Sequence, residues 1–351
     1  MQQSGLRVAP KLKGAARKGV DLTELREVTL TQLNPQSLLP LMVCPSASSI
    51  EPAEWASANR ELLESKLLAH GGILFRGFGI NSPAAFENFA SSLCTELFQE
   101  YGDLPRESAG GKVYSSTPYP ADKAILFHNE SSHMHRWPMK IIFCCMQAAE
   151  RGGETPIVDC RRLYEQLRPE TRERFLKKKL MYVRNFTDGL DVSWQGFFQT
   201  DNKAAIEAYC REAGIDFEWR PGNGLRTRQI CPAIVKHPQS GEMVFFNQIQ
   251  LHHIGCLDPE VRESLLSLMK EEDLPRNVYY GDGSAIEDST IAEINELYDK
   301  NAVINQWQPG DVVFLNNMLV AHARKPFQGA RKIIVALGEL VYQKDLQSVA
   351  T

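Results

Sequence analysis

The residues that could carry chemistry are a short triplet, His128-Asn129-Glu130, and one histidine far downstream, His322. On an extended segment the residues on either side of a position point to the same face. His128 and Glu130 can therefore reach one ion while Asn129 faces away. Two imidazoles and one carboxylate are the protein ligands of a non-haem Fe(II) site, which leaves other coordination positions open for oxygen chemistry. The pattern predicts a metal centre formed by His128, Glu130 and His322.

Neighbouring histidines leave a second set of ligands open. His133 and His135 follow the triplet in the same stretch, and with Glu130 or His128 they could hold zinc or the metal of a cupin-type enzyme. The adjacent pair His252-His253 is a third candidate, for which packing or surface roles are favoured over ligation. That protein would be a zinc hydrolase or a cupin-type metalloenzyme without an organic cosubstrate. A further alternative is a non-catalytic protein that kept the fold and the triad and only binds its ligand.

Two arginines follow the distal histidine, Arg324 and Arg331. A cosubstrate with two carboxylates, such as 2-oxoglutarate, would chelate iron at one end and need a fixed guanidinium at the other. A guanidinium suits that role because it binds a carboxylate through two parallel hydrogen bonds. Arg331 lies at the start of the predicted last strand, directly before residues 332–341, and this strand should run back past the metal. Arg324 is closer to His322 and could serve instead or bind substrate. The spacing alone leaves this choice open.

Composition limits the class of protein. The chain has 351 residues, of which 43% are hydrophobic and 23% charged, as is typical of a globular protein. A net charge of −4 gives no electrostatic reason to expect nucleic acid or an anionic membrane as partner, so a small molecule is expected. The apolar runs fall far short of the ~20 residues that span a bilayer. Eight scattered cysteines without a CxxC pair indicate reduced thiols in a cytoplasmic protein.

Hydrophobic periodicity predicts a single domain over residues 21–351 behind a flexible N-terminal tail, residues 1–20. Runs of β-forming residues between turn signals predict strands that include 73–78, 140–146, 155–158, 312–315 and 332–341. Amphipathic patterns predict helices at 52–70, 86–97, 160–180, 203–213 and 258–272. Residues 182–228 and 258–305 separate the two halves of the triad and are interpreted as inserts that cover the site. The many predicted strands, with helices between them, predict a mainly β fold with α decorations. Its core would be a double-stranded β-helix (jelly roll) that carries helical inserts.

Motifs spread from about residue 71 to residue 340 carry a resemblance to a known family. In chain order they are Gly72-Ile73-Leu74-Phe75-Arg76-Gly77-Phe78, His128-Asn129-Glu130, Gly152-Gly153-Glu154-Thr155-Pro156, His237-Pro238 with Gly241-Glu242, Phe246-Asn247-Gln248, Pro309-Gly310-Asp311, Asn317 to His322, and Pro326-Phe327-x-Gly329-x-Arg331. Together they are similar to the TauD/TfdA family of Fe(II)/2-oxoglutarate-dependent dioxygenases, in its clavaminate synthase-like and SyrP-like branch.

The resemblance implies a chemistry and a set of site residues. It implies iron ligation by His128, Glu130 and His322, with glutamate at the carboxylate position as in the clavaminate synthase-like branch. It also implies that Thr155 and Arg331 bind the far carboxylate of 2-oxoglutarate. The cofactors would be Fe(II), 2-oxoglutarate and O2. The reaction would oxidise, most simply by hydroxylation, an unactivated C–H bond with release of succinate and CO2.

The same branch implies a substrate class. The substrate would be an amino acid or an amino-acid-derived natural-product intermediate, either free or tethered to a carrier protein. His133, Arg136 and Arg324 are the candidates to meet a carboxylate or carbonyl of that substrate. Asn317 matches an asparagine of the family upstream of the distal histidine, and it is expected to shape the loop rather than to take part in the chemistry.

Overall fold

The structure is a computed structural model that describes residues 27–34, 37–47, 49–98, 108–116, 119–187 and 191–346. The predicted tail, residues 1–20, lies outside these ranges.

The strands are, in chain order, β1 Val28–Asn34, β2 Ser37–Pro45, β3 Gly72–Phe75, β4 Ser108–Gly110, β5 Val113–Ser115, β6 Ile125–His128, β7 Arg136–Gln147, β8 Arg151–Gly152, β9 Ile157–Asp159, β10 Leu180–Phe186, β11 Asp216–Arg220, β12 Gly224–Cys231, β13 Ile234–Lys236, β14 Met243–Phe245, β15 Arg276–Tyr280, β16 Val312–Asn316, β17 Val320–Arg324, β18 Phe327–Gln328 and β19 Lys332–Tyr342. The helices are α1 Pro52–Ala58, α2 Arg60–His70, α3 Pro83–Leu93, α4 Cys160–Gln166, α5 Pro169–Lys178, α6 Trp194–Phe198, α7 Lys203–Ala213, α8 Ile249–His252, α9 Pro259–Leu268 and α10 Asp288–Asn301.

The largest element is an eight-stranded sheet in the order β1-β2-β3-β16-β7-β19-β5-β4. Its central strand β7 is buried over most of its length, and residues 137–146 are apolar apart from Lys140, because both faces of the sheet are covered. Alternate residues of a strand point to opposite faces. Phe143 accordingly joins one core cluster, and Ile142 and Cys144 join the other. The strand extends beyond the predicted 140–146 because β19 stays paired with it along its length.

Helices cover one face of the large sheet. Trp55 of α1 and Phe89 of α3 pack around Phe75 of β3, with ring centroids 6.4 and 5.1 Å from it. The other face looks towards a three-stranded sheet in the order β6-β17-β9. Phe143 and Ile333 of the large sheet line a cavity together with His128 and His322 of the small one. The candidate metal ligands therefore lie between the two sheets.

Two long predicted helices are each broken in the structure. The helix predicted at 52–70 is interrupted at Asn59, whose side chain donates a hydrogen bond to the carbonyl oxygen of Trp55 at 2.8 Å. Asparagine competes in this way with the helical backbone pattern. The helix predicted at 160–180 ends at Gln166, because Arg168 precedes Pro169 and a residue before proline is driven to an extended conformation. The prediction of 203–213 as one helix is confirmed.

A separate sheet is formed by residues of the two predicted inserts. Its order is β11-β12-β10-β15, and α6 and α7 pack against it around a small aromatic core that includes Phe186 and Trp194. All eight cysteines are free thiols, as the scattered pattern predicts. Within the described ranges, every helix is too short or too polar to cross a bilayer.

Candidate active site

Strand pairing brings the two distant parts of the triad together. His128 ends β6, and His322 lies directly opposite it on β17. Their rings are 4.2 Å apart between centroids, and Nε2 of His322 is 3.8 Å from Oε2 of Glu130. Each of the three residues offers one ligand atom, and these atoms lie within 4.8 Å of one another. This spacing suits three ligands on one face of a single ion.

A hydrogen bond selects the form of one imidazole. Nδ1 of His128 lies 2.8 Å from the carbonyl oxygen of Leu126. Since a carbonyl oxygen can only accept, the proton must be on Nδ1, which leaves the lone pair of Nε2 available. A metal-binding histidine is commonly oriented by such a second hydrogen bond. The local backbone therefore orients His128 so that Nε2 is the nitrogen that can bind a metal.

The loop that carries Glu130 is fixed by buried amides. The Oδ1 atom of Asn317 accepts from the backbone N–H of Glu130 at 2.7 Å, and its Nδ2 donates to the carbonyl oxygens of Glu130 and Pro138. Asn129 in turn donates to the carbonyl oxygen of Asn317 at 2.6 Å, and Gln248 donates to that of Asn129. The prediction that Asn317 shapes the loop is confirmed. The side chain of Asn129 belongs to this hydrogen-bonded frame, and it is not among the candidate ligands.

Burial of Glu130 favours the binding of a cation at this site. It raises the pKa of Glu130 to about 8, because an ionised carboxylate loses its hydration there. A divalent ion removes that penalty by replacing the proton. Two nitrogen donors and one oxygen donor on one side of an ion are the pattern of mononuclear non-haem iron sites. The residues present therefore fit Fe(II).

Arg331 is placed at one end of the same cavity by a glycine turn. Its Nε donates to the carbonyl oxygen of Gly153 at 2.9 Å, and its guanidinium carbon lies 5.5 Å from the ring centroid of Phe327. Gly153 has φ +72°, and a Cβ there would lie 2.9 Å from Cδ of Arg331. The terminal amino groups find no acceptor among the described residues, and the side chain lines the cavity.

The charge of Arg331 is poorly solvated but retained. Burial, followed by the nearby charge of Arg324, lowers the pKa of Arg331 to about 10, so it stays protonated near neutral pH. Thr155 lines the same cavity, and its Oγ1 accepts a hydrogen bond from Nε1 of Trp307 at 3.2 Å. Its own proton remains available for another acceptor. A guanidinium and a hydroxyl donor in one cavity fit the far carboxylate of 2-oxoglutarate.

Arg324 is committed to the main chain. Its terminal nitrogens donate to the carbonyl oxygens of Tyr119, Pro120 and Lys123 at 3.1, 2.6 and 2.6 Å. The side chain lies at the cavity wall, but its amino groups hold the loop that precedes β6. Of the two arginines that the spacing left open, the geometry presents Arg331 to a ligand.

The remaining candidates are separated by the fold. His133 lines the cavity, with its ring 4.9 Å from that of His252. The ring of His135 instead lies 5.6 Å from that of Tyr209. Arg136 begins β7 opposite Tyr342 and is not among the residues that line the cavity. In the part of the chain that the structure describes, the His128, Glu130 and His322 group is the one set of ligand atoms close enough to hold an ion.

The cavity measures about 770 Å³ and contains functional groups that the sequence did not single out. Arg184 and Arg276 lie on its wall, directly opposite each other on β10 and β15, and both contact Asp191. Burial alone would raise the pKa of Asp191, but the hydrogen bond and charge of Arg276, with the charge of Arg184, lower it. No local pattern relates two residues so far apart in the chain. His252, which the sequence did offer as a candidate metal ligand, also lines the wall, but it is not in the group of ligand atoms close enough to hold an ion.

Fold and site together define a candidate metal site of the two-histidine, one-carboxylate class, in a cavity that also contains the guanidinium of Arg331 and the hydroxyl of Thr155. The model of the family described as "Taurine catabolism dioxygenase TauD, TfdA family" matches residues 37–337. Dapdiamide synthesis protein DdaC of Enterobacter agglomerans is 41% identical over 284 residues, which cover 80% of this chain and 85% of DdaC. A clavaminate synthase-like protein of Arabidopsis thaliana is 29% identical over 317 residues, covering 85% of this chain and 93% of that protein.

Among solved structures, PvcB from Pseudomonas aeruginosa has a similar fold. The TM-score is 0.54 at 14% sequence identity, and the match covers 96% of this chain and 99% of PvcB. The chain belongs to the TauD/TfdA family. It is a 2-oxoglutarate-dependent non-haem iron dioxygenase, with Fe(II), 2-oxoglutarate and O2 as its cofactors.

Proposed function

We propose that this dioxygenase oxidises, by hydroxylation, an unactivated C–H bond of an amino acid or an amino-acid-derived natural-product intermediate, with release of succinate and CO2. The observation that carries the proposal is one cavity that contains both a three-ligand metal site and a carboxylate-binding end. His128, Glu130 and His322 would hold Fe(II). Arg331 and Thr155 would bind the far carboxylate of 2-oxoglutarate.

The chain supplies orientation and protection. When bound, iron and 2-oxoglutarate supply the oxidising chemistry with O2, which the protein's own side chains cannot perform. The asparagine frame around Glu130 holds the ligand loop in one geometry. Arg331 fixes the far end of the cosubstrate and so sets its direction towards the ligands. Two apolar side chains line the cavity near the metal ligands, Phe143 and Ile333. The ring of Phe143 is 5.1 Å from that of His322. These side chains keep the cavity apolar beside the ligands and limit water there.

The size of the cavity and the relatives support the substrate class. About 770 Å³ accommodates a small organic substrate beside 2-oxoglutarate. The name of DdaC places that relative in dapdiamide synthesis, and another relative is named pentalenolactone F synthase. PvcB is described as an oxygenase from an isonitrile synthetic pathway. We propose natural-product biosynthesis for this chain as well, with a substrate presented free or on a carrier protein. Of the predicted substrate residues, His133 and Arg324 line the cavity, and Arg324 is bound to backbone carbonyls. We therefore propose His133 as the substrate contact; its ring packs beside Tyr182 and His252.

The proposal also includes the architecture. We propose that the large sheet and the β6-β17-β9 sheet form a double-stranded β-helix within a single domain. Residues 182–228 and 258–305 are then inserts beside the cavity. Eight free thiols support a cytoplasmic protein. A zinc enzyme built on His133 and His135 is not supported, since their rings pack against different groups.

The first experiment is an anaerobic titration of metal-free protein with Fe(II) and then 2-oxoglutarate, followed by visible absorption. A metal-to-ligand charge-transfer band should appear with Fe(II), be absent with Zn(II), and need much higher 2-oxoglutarate in Arg331→Ala. His322→Ala should abolish it, while Arg136→Ala serves as a control outside the cavity. Well-folded protein that gives no band would overturn the proposal. A band without succinate formation on any amino-acid-derived substrate would indicate a binding protein.

A further inference from the structure

Trp307 contacts the proposed cosubstrate site without lining its cavity. It is half-buried against the core, and its indole Nε1 donates to Oγ1 of Thr155 at 3.2 Å. An indole N–H is a donor only, so the threonine oxygen must be the acceptor in this bond. The hydroxyl proton of Thr155 must then point elsewhere. Thr155 is buried and lines the cavity, and in the described parts of the chain its proton finds no acceptor.

The segment that carries Trp307 is held by an ion pair from a distant motif. Arg76, directly after β3, donates to both carboxylate oxygens of Asp311 at 3.0 and 2.7 Å. The same guanidinium donates to the side chain of Asn305 and to the carbonyl oxygen of Gln306. Asp311 is 1% exposed. These four hydrogen bonds reach residues on both sides of Trp307, so its segment is tied to the large sheet.

We infer that Trp307 is a positioning residue for 2-oxoglutarate. By occupying the oxygen of Thr155 as acceptor, it directs the hydroxyl proton into the cavity, where the far carboxylate of the cosubstrate accepts it beside Arg331. The Arg76–Asp311 pair holds the indole in place for this. The inference rests on the proposed role of Thr155. Arg76 and Asp311 belong to two of the motifs that carry the family resemblance, and both then have a function in placing Trp307.

The test is a double-mutant cycle on cosubstrate affinity. The dissociation constant of 2-oxoglutarate is measured anaerobically on Fe(II)-loaded protein from the charge-transfer band, with no turnover. Thr155→Val should weaken binding about tenfold or more, as expected for a hydrogen bond to a charged group. Trp307→Phe should weaken it about threefold to tenfold, which is the range for a neutral hydrogen bond. In the Thr155→Val background, Trp307→Phe should change the constant by less than about twofold, because coupled residues are not additive.

Controls separate positioning from general packing. Trp55→Phe removes an indole from the core far from the cavity and should lower the melting temperature without changing the dissociation constant. Trp307→Tyr is a second variant that keeps an aromatic ring but loses the N–H at that position. Equal losses from Trp307→Phe with and without Thr155 would overturn the inference, and so would an unchanged constant in both Trp307 variants. An unchanged constant in Thr155→Val would remove Thr155 from the proposed function, and the inference would fall with it.

Discussion

The two ends of the cavity are built in different ways. At the metal end, the ligands lie on paired strands or on a loop fixed by buried amides, and His128, Glu130 and His322 are all less than a tenth exposed. At the other end, the wall comes from the separate sheet and from the start of α9, a helix without a single buried residue. Val261 of α9 is 46% exposed although it lines the cavity.

From this difference in burial we expect the two ends to have different roles, one in the chemistry and one in substrate recognition. The metal end tolerates little movement, because ligand atoms must meet one ion within a few tenths of an ångström. The outer end consists of side chains on segments with few buried contacts, such as Leu257 and Val261, and such segments can change without loss of the core. The metal end contains the residues that we propose set the reaction class, and we expect the outer end to select the substrate.

The largest expected effect is at the metal end. Asn317→Ala would leave the buried N–H and C=O of Glu130 without their partner. We expect a loss of about 3 kcal/mol in the free energy of unfolding and at least about a tenfold loss of Fe(II) affinity. Thermal unfolding and metal titration measure the two. Asn301→Ala, which breaks a half-buried amide pair with Gln166, is the control and should leave Fe(II) affinity unchanged. Wild-type metal affinity in Asn317→Ala would contradict a rigid metal end.

An intermediate effect is expected where the glycine turn supports Arg331. Gly153→Ala puts a Cβ 2.9 Å from Cδ of Arg331 and places alanine at φ +72°. We expect about a tenfold loss of 2-oxoglutarate affinity with little change in Fe(II) affinity. Gly214→Ala is the matched control, since φ is +67° there but no atom lies within 4 Å of the added Cβ. In both variants, backbone strain should lower the free energy of unfolding by about 1 kcal/mol. If the control weakened 2-oxoglutarate binding equally, strain rather than collision would be the cause.

The smallest effect on stability is expected at the outer end. Val261→Ala should change the free energy of unfolding by no more than about 0.5 kcal/mol, as for other exposed positions. It should leave 2-oxoglutarate affinity unchanged and alter the KM of the organic substrate, measured by succinate release. Leu268→Ala on the same helix is the control, because Leu268 is 76% exposed and does not line the cavity. A clearly larger loss in the free energy of unfolding of Val261→Ala would contradict the difference in burial between the two ends.

The sequence predicted best where chemistry depends on short motifs. His128 and Glu130 flank one residue, so their common direction follows from an extended backbone. Helix boundaries were predicted less well, since the breaks at Asn59 and before Pro169 depend on one side chain or one ring against a strong apolar period. The contact of Trp307 with Thr155 could not be predicted, because hydrogen bonds between distant segments leave no local pattern.

The sequence by itself determined the kinds of group available: two imidazoles with a carboxylate, a guanidinium after the distal histidine, and a threonine after a glycine pair. Tertiary structure alone decided which of them meet. It set His322 opposite His128, bound Arg324 to backbone carbonyls and turned Arg331 towards the cavity. The physical reason is that residue type fixes what a side chain can donate, accept or ligate. Strand pairing between distant segments fixes where that capacity is used.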